Sequence, residues 1–341
     1  MKQALIYGKS QLLFACLLIM ACSPACHSPA GQDPGISRMA EGKPQYALGF
    51  RIQGDSVYKI LHVINPWQGS RRVHLQYILT DDPSRIPDSL KQHPVIQIPV
   101  KRVICMSTTH VAMIDALGES DAIVGISGSD YISNPYLRSR LETGDVKDVG
   151  ADQTLNYELI LTLRPDLIMA YGITSEVNGM VNRLEGLGIP VILNGDYLED
   201  QPLGKTEWIR FVASFFARDK KADSIFRSVA STYEQYQNMI KDTDQKPSVM
   251  TGLPWKDTWY IPGGKSFAAA YIRDAGGTYL WEDLDSREAF PIDLEAIYAR
   301  AASADLWINC GAARTLAEIG QTDKRLNRFQ PVNNGRVFNN N

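Results

Sequence analysis

Ser107-Thr108-Thr109-His110 puts hydroxyls beside a base, the ingredients of nucleophilic chemistry. Neighbouring positions at a helix start do not face one another, and no third residue orients the histidine, so no catalytic pair is assigned. The same run suits two other tasks. Ser and Thr cap helices, and the free N–H groups at a helix N-terminus receive an anionic ligand group, so capping alone and ligand contact through Ser107, Thr108 and Thr109 both stand as readings. Aromatic residues form a second set. Tyr131, Tyr171, Trp255, Trp259, Tyr260, Trp281 and Phe290 fall where strands or lobes end. Rigid flat side chains there offer contact area to a bulky conjugated or chelate ligand, and of these Tyr131, Tyr171, Trp255, Trp259, Tyr260 and Phe290 are the ligand-binding candidates; others in the set belong to ordinary cores.

Glu158 and Glu295 occupy equivalent places, each on a short helix before a strand. An exposed glutamate is ordinarily solvated surface. Two at matching positions on opposite lobes make negative posts for a partner with two positive sockets. Gly263-Gly264-Lys265-Ser266 ends like a phosphate loop, but Trp259 stands where that loop needs its first glycine, so the run reads as a tight turn into a helix. Gly118, Gly125 and Gly128 lack the spacing of a dinucleotide fingerprint. The five histidines, at 27, 62, 74, 93 and 110, are too scattered for a metal cage, and no metal site is assigned.

These residues need elements to position them. The chain of 341 residues, 44% hydrophobic and 21% charged, is long enough for two domains, and a net charge of −3 gives no reason to expect nucleic acid. From Val100 onward, apolar runs alternate with helical periods, the pattern of a mainly parallel sheet flanked by helices. Asn156–Ile160 leading into Arg164-Pro165-Asp166-Leu167-Ile168 is echoed by Asp293–Ile297 leading into Ala304-Asp305-Leu306-Trp307-Ile308. The fold class is therefore α/β: two lobes of mainly parallel sheet joined by a long helix, residues 99–203 and 246–341 on either side of a linking region 204–245. In that region Trp208, Phe211, Val212, Phe215 and Phe216 recur at helical spacing, with the bridge expected over about 205–217 and the remainder packing on the second lobe. Residues 45–98 carry short alternating runs broken by turn formers, a β-rich antiparallel appendage packed on the first lobe. The second lobe stops near its last expected strand, so its end is expected to be short or incomplete.

At the N-terminus, Lys2 and Lys9 precede an apolar run from Leu12 to Ala21, the build of a secretory signal over 1–22. The run ends at Ile19-Met20-Ala21-Cys22, which resembles the bacterial lipobox and implies lipidation at Cys22, with 23–44 as a flexible tether. Cys105 and Cys310 lie in or beside apolar strands and read as buried thiols in preference to a bridge.

From about Val100 to Phe338 the chain resembles the bacterial ABC-transporter substrate-binding proteins of the iron-siderophore, haem and vitamin B12 type. The resemblance is carried by Lys101-Arg102-Val103-Ile104 with Ser107-Thr108-Thr109, Gly125-Ile126, the Glu158 helix running into Leu163–Ile168, Leu187–Val191, and Asp274-Ala275-Gly276-Gly277. It implies a monomeric, lipid-anchored periplasmic receptor, not an enzyme. Such a receptor captures a metal chelate (a ferric siderophore or haem) or cobalamin as cargo, holds no cofactor of its own, and delivers the cargo to a permease and its ATPase. It also implies that Glu158 and Glu295 dock to the permease, and that the helical strut limits hinge motion. A secreted hydrolase or chelate-processing enzyme on a similar fold is the alternative, and a surface adhesin using residues 45–98 a third.

Overall fold

The computed structural model describes residues 40–151, 154–241, 245–256 and 258–339. Cys22, the signal segment and the tether up to residue 39 lie outside the described residues. The appendage begins earlier than its sequence signals: Ala40–Gly42 (β1), assigned to the tether, pairs antiparallel with Phe50–Gly54 (β2). Tyr58–Ile64 (β3) and His74–Thr80 (β4) continue the antiparallel sheet, and Val95–Gln97 (β5) joins β4 in parallel.

The first lobe follows the strand-then-helix plan: Val103–Cys105 (β6), Thr108–Ala116 (α1), Ile123–Ile126 (β7), Pro135–Thr143 (α2), Lys147–Asp148 (β8), Tyr157–Leu163 (α3), Leu167–Ala170 (β9), Val177–Gly186 (α4) and Val191–Leu193 (β10). Its strands form a parallel sheet in the order β10-β9-β6-β7-β8. Period-two alternation splits the buried residues between two faces. Val103, Cys105, Leu167 and Met169 join one core, shared with the appendage, while Ile104, Ile168 and Ala170 join a second core on the other face.

The linking region is two helices, Pro202–Ser214 (α5) and Asp219–Ile240 (α6). Ala217 adopts a left-handed backbone with φ 55°, which stops α5 without glycine or proline. The bridge runs further along the region than the 205–217 expected from sequence, while the end of α6 packs on the second lobe as expected. Ten of the thirteen residues of α5 are buried, and it packs on the first lobe and appendage, whereas α6, about 33 Å long by its residue count, does the bridging. Ala222, Phe226 and Ala230 bury in the first-lobe core. Further along α6, the Tyr233 hydroxyl donates to Asp274 at 2.8 Å, and a Cβ at Gly276 would meet Ile240 at 2.8 Å, so the end of α6 sits on the second lobe.

The second lobe runs Ser248–Thr251 (β11), Trp259–Pro262 (β12), Phe267–Asp274 (α7), Thr278–Tyr279 (β13), Ala289–Ile292 (β14), Leu294–Ala301 (α8), Leu306–Ile308 (β15), Leu316–Thr322 (α9), Gln330–Asn333 (α10) and Val337–Phe338 (β16). Its parallel sheet has the order β13-β11-β15-β16, beside a two-stranded antiparallel ribbon of β12 and β14. Cys105 and Cys310 are free and buried in separate cores; burial raises both thiol pKa values, Cys310 to about 12, which keeps them protonated and unreactive.

The appendage is stapled to the first lobe by two buried acids. Glu207 on α5 is fully buried, and its carboxylate accepts from the amides of Gln45 at 2.9 Å, Tyr46 at 2.7 Å and Ala47 at 3.0 Å. Glu199 accepts from the amides of Leu48 at 3.0 Å and Gly49 at 2.9 Å and from the Trp208 indole at 2.9 Å. Carboxylates can be buried this deeply because every oxygen is satisfied by a donor. Phe50 of β2 then packs on Trp208 and Phe211 with ring centroids 4.9 Å and 5.7 Å away.

Candidate functional site

Loops leaving the C-terminal ends of parallel strands form the face of an α/β sheet where ligands ordinarily bind. After β6, the Ser107 hydroxyl caps α1, accepting from the Thr109 amide at 3.2 Å and lying 2.9 Å from the Thr109 hydroxyl. Thr108 is exposed, and Thr109 lines a cavity described below. His110 points inward. Its Nδ1 lies 3.1 Å from the Met169 carbonyl and so carries the proton, which leaves Nε2 as a buried acceptor with no hydrogen-bond partner among the described residues. Burial pushes the imidazole down to about 4, so it is neutral at pH 7, with no hydroxyl in reach to activate.

After β9 and β10 come Tyr171, which the sequence selected, and Tyr197 and Asp196, which it did not. Tyr171 stands edge-on to His110 and to Tyr197, with centroids 6.4 Å and 6.3 Å away, and the Tyr197 hydroxyl donates to the Gly172 carbonyl. Burial pushes the Tyr197 phenol up to about 12, which keeps it a donor. Asp196 is buried with one carboxylate oxygen unpartnered among the described residues, and burial raises its pKa against the opposing pull of Lys205.

Two contacts cross between the lobes here. The Lys205 ammonium sits 5.3 Å from the Phe267 ring centroid, and Arg287 pairs with Asp200 at 2.5 Å. Phe267 follows the glycine turn. Ser266 caps α7 by accepting from the Ala269 amide at 3.2 Å, and a Cβ at Gly263 or Gly264 would meet the Ser286 or Glu282 carbonyl at 2.2 Å, so the turn requires glycine for close backbone packing.

Two cavities flank Phe267. One of about 390 Å³ lies between α1, α5 and α7, with Thr109, Asp196, Lys205 and Tyr271 in its wall. The other, about 660 Å³, is bounded by residues 64–70 of the appendage, 195–200 of the first lobe, and 265–268 with 287–288 of the second. Both are of ligand-pocket size.

The aromatic candidates do not converge. Trp259 is fully buried, its indole donating to the Thr251 carbonyl at 3.1 Å and its ring 5.7 Å from Trp307, so it is a core residue of the second lobe. The pleat decides this: Trp259 and Ile261 turn to the core while Tyr260 between them turns out, 50% exposed. Phe290 pairs with Ile261 and Tyr260 with Pro291, so Tyr260 and Phe290 stand on opposite faces of the ribbon. Tyr131 and Trp255 are exposed, and none of Tyr131, Tyr171, Trp255, Tyr260 or Phe290 lines either cavity. Trp281 is buried in the second-lobe core.

Glu158 and Glu295 sit at the second position of α3 and α8, each two residues after a capping Asn156 or Asp293 that accepts an amide at 3.0 Å or 2.8 Å. Both are exposed, and Glu295 pairs with Arg325 at 2.6 Å. Among the described residues, no cluster of three His, Cys, Asp or Glu could hold a metal ion, and no helix is long and apolar enough to cross a membrane.

Two similar parallel sheets bridged by one helix, with a cleft at their strand ends, define an architecture. The family model for periplasmic binding proteins matches residues 103–339. The chain belongs to this family. Periplasmic binding proteins of this type are substrate-binding proteins and not enzymes. This one is 25% identical over 299 residues to an uncharacterized lipoprotein of Methanocaldococcus jannaschii, covering 81% of this chain and 71% of that one. It is 24% identical over 188 residues to an uncharacterized ABC transporter substrate-binding lipoprotein of Bacillus subtilis, covering 54% and 57%. Among solved structures it is similar to a possible iron-binding, periplasmic solute-binding protein of Staphylococcus epidermidis, with TM-score 0.56, 19% identity, and 71% and 90% of the two chains covered. It is also similar to the periplasmic vitamin B12 binding protein of Vibrio cholerae, with TM-score 0.51, 18% identity, and 71% and 88% covered. The family match starts at residue 103, so the appendage lies outside it.

Proposed function

We propose that this periplasmic binding protein is the receptor of an ABC importer. It takes a ferric siderophore, haem or cobalamin into the cleft between its lobes and delivers it to a permease and ATPase, acting as a monomer held to a membrane by lipid at Cys22. The observation that carries this reading is the matched pair of exposed glutamates, Glu158 and Glu295, each at the second position of the helix before an equivalent strand. One acidic post per lobe fixes the orientation of the receptor on a partner with two basic sockets and speeds their encounter. The names of the Bacillus relative and of the iron- and vitamin B12-binding neighbours support the transport role and the ligand range, and two relatives named lipoproteins support the anchor.

The test is transport with ligand affinity measured beside it. Glu158→Ala combined with Glu295→Ala is expected to abolish uptake and to leave the affinity of the full chain for its ligand unchanged. Tryptophan-fluorescence titration of the full chain in detergent against ferric siderophores, haemin and cobalamin identifies the ligand. Loss of affinity in the double variant would remove the docking role, and no quenching by any ligand would remove the receptor reading.

A further inference from the structure

The larger cavity is a three-sided space, and one side comes from outside the family match. Residues 64–70, the end of β3 and the start of its connection to β4, stand against residues 195–200 of the first lobe and 265–268 with 287–288 of the second. The connection is held in place: the Gln68 amide donates to the Ile173 carbonyl at 3.2 Å, and Trp67 packs on the outer core of the first lobe. We infer that this loop is a third wall of the ligand site and contributes to ligand choice, an inference that rests on the receptor reading above.

The wall chemistry defines a ligand class. Trp67, Tyr197 and Phe267 bring aromatic surface from the appendage and both lobes. Gln68, Lys265 and Arg287 bring donor groups: Gln68 on an exposed loop, Lys265 from the second lobe with its ammonium paired to Asp285, and Arg287 from the second lobe paired to Asp200. Among the acids in the wall, Glu199 has its oxygens taken by amides and the Trp208 indole, and Asp200 is engaged by Arg287. Glu288 is exposed at the rim. The surface therefore suits a ligand with a flat apolar face and oxygen acceptors at its edge. A carboxylate or chelating oxygen of the ligand would compete with Asp200 for Arg287, whose planar fork grips such groups in pairs. A three-sided space of about 660 Å³ suits a compact organic chelate.

The experiment uses the full chain in detergent and four probes: haemin, a ferric catecholate siderophore, a ferric hydroxamate siderophore and cyanocobalamin. Gln68→Trp fills the cavity from the appendage side, and Arg287→Ala removes the donor from the opposite wall. Both side chains lie outside the cores, so melting temperatures are expected to stay at the parent value. For the probe that the parent chain binds, each variant is expected to weaken affinity about tenfold or more, the size of a lost anchor or a blocked pocket. Trp67→Ala adds a third measurement, read only where its melting shows a folded chain. If a probe binds and Gln68→Trp keeps parent affinity, the third wall is overturned while the receptor reading stands, whatever Arg287→Ala does, since Arg287 lies within the family match. If the parent chain binds none of the probes, the receptor reading fails and this inference falls with it.

Discussion

Asp166 and Asp305 do one job in two places. The Asp166 carboxylate accepts from the amides of Lys101 at 2.8 Å and Arg102 at 2.9 Å, just before the central strand β6. Asp305 accepts from the Ser248 amide at 2.8 Å and the Ser248 hydroxyl at 2.7 Å, at the start of β11. Each aspartate precedes the strand that lies parallel to the one it caps, β9 on β6 and β15 on β11. The lobes thus share a strand-start lock as well as a capped acidic helix. They differ in what has been added: the first lobe carries the appendage and a buried histidine, and the second carries Arg325 on its acidic post. The shared parts maintain the sheets, and the added parts are where the lobes divide their tasks.

Acid is expected to separate the lobes most strongly. All five histidines precede residue 111, so the second lobe has none. His110 is held near 4 by burial, below the ordinary value of about 6.5, so the unfolded chain binds its proton first. Its contribution is fully present above about pH 6.5 and is lost as pH falls toward 4, a loss on the order of 3 kcal/mol. Asp305 behaves differently: the Ser248 amide and then its hydroxyl hold it below the usual carboxylate range, so its contribution survives to lower pH and is lost only as the pH falls through that depressed value. Hydrogen exchange between pH 7 and 4.5 should loosen β6, β9 and α1 while β11 and β15 stay protected. Equal loosening of both lobes would contradict this.

The strand-start lock gives the next effect. Asp166→Ala and Asp305→Ala each leave two donors without their acceptor at the start of an inner strand and are expected to cost about 1 kcal/mol apiece. Thermal melting that finds one change several times costlier than the other would break the equivalence. The smallest effect is expected from Arg325→Ala. The pair it forms with Glu295 is exposed, and surface pairs contribute little, so melting should not move. Uptake should stay within about twofold of the parent, because the glutamate remains. A fall to the level of the Glu295→Ala variant would make Arg325 part of the docking surface.

Much of the scaffold could be read from local pattern. Asn156 and Asp293 are cap residues three positions before the amides they receive, and Leu167–Ala170 and Leu306–Ile308 are short apolar runs after a stop. The break between α5 and α6 could not, because Ala217 rather than glycine takes the left-handed turn. The alternation that buries Trp259 was present in Trp259-Tyr260-Ile261, but an aromatic cluster beside a glycine turn looked like a rim. The cleft itself was the least legible part. Asp200 with Arg287, Lys205 with Phe267, and the 64–70 loop meet only through the tertiary fold, and no local period encodes such meetings. Asp196 lay in an Asn-Gly-Asp run that reads simply as a turn.

The two buried glutamates set a limit on how this protein can be shortened. A chain cut to begin at Val100, near the start of the family match, would keep Glu199 and Glu207 in place and remove all five of the backbone amides from residues 45–49 that satisfy them. It would also bare Trp208 and Phe211 where Phe50 now packs. The part that the family model matches therefore shares its interior with the strands before it, and the folded core extends well upstream of the match.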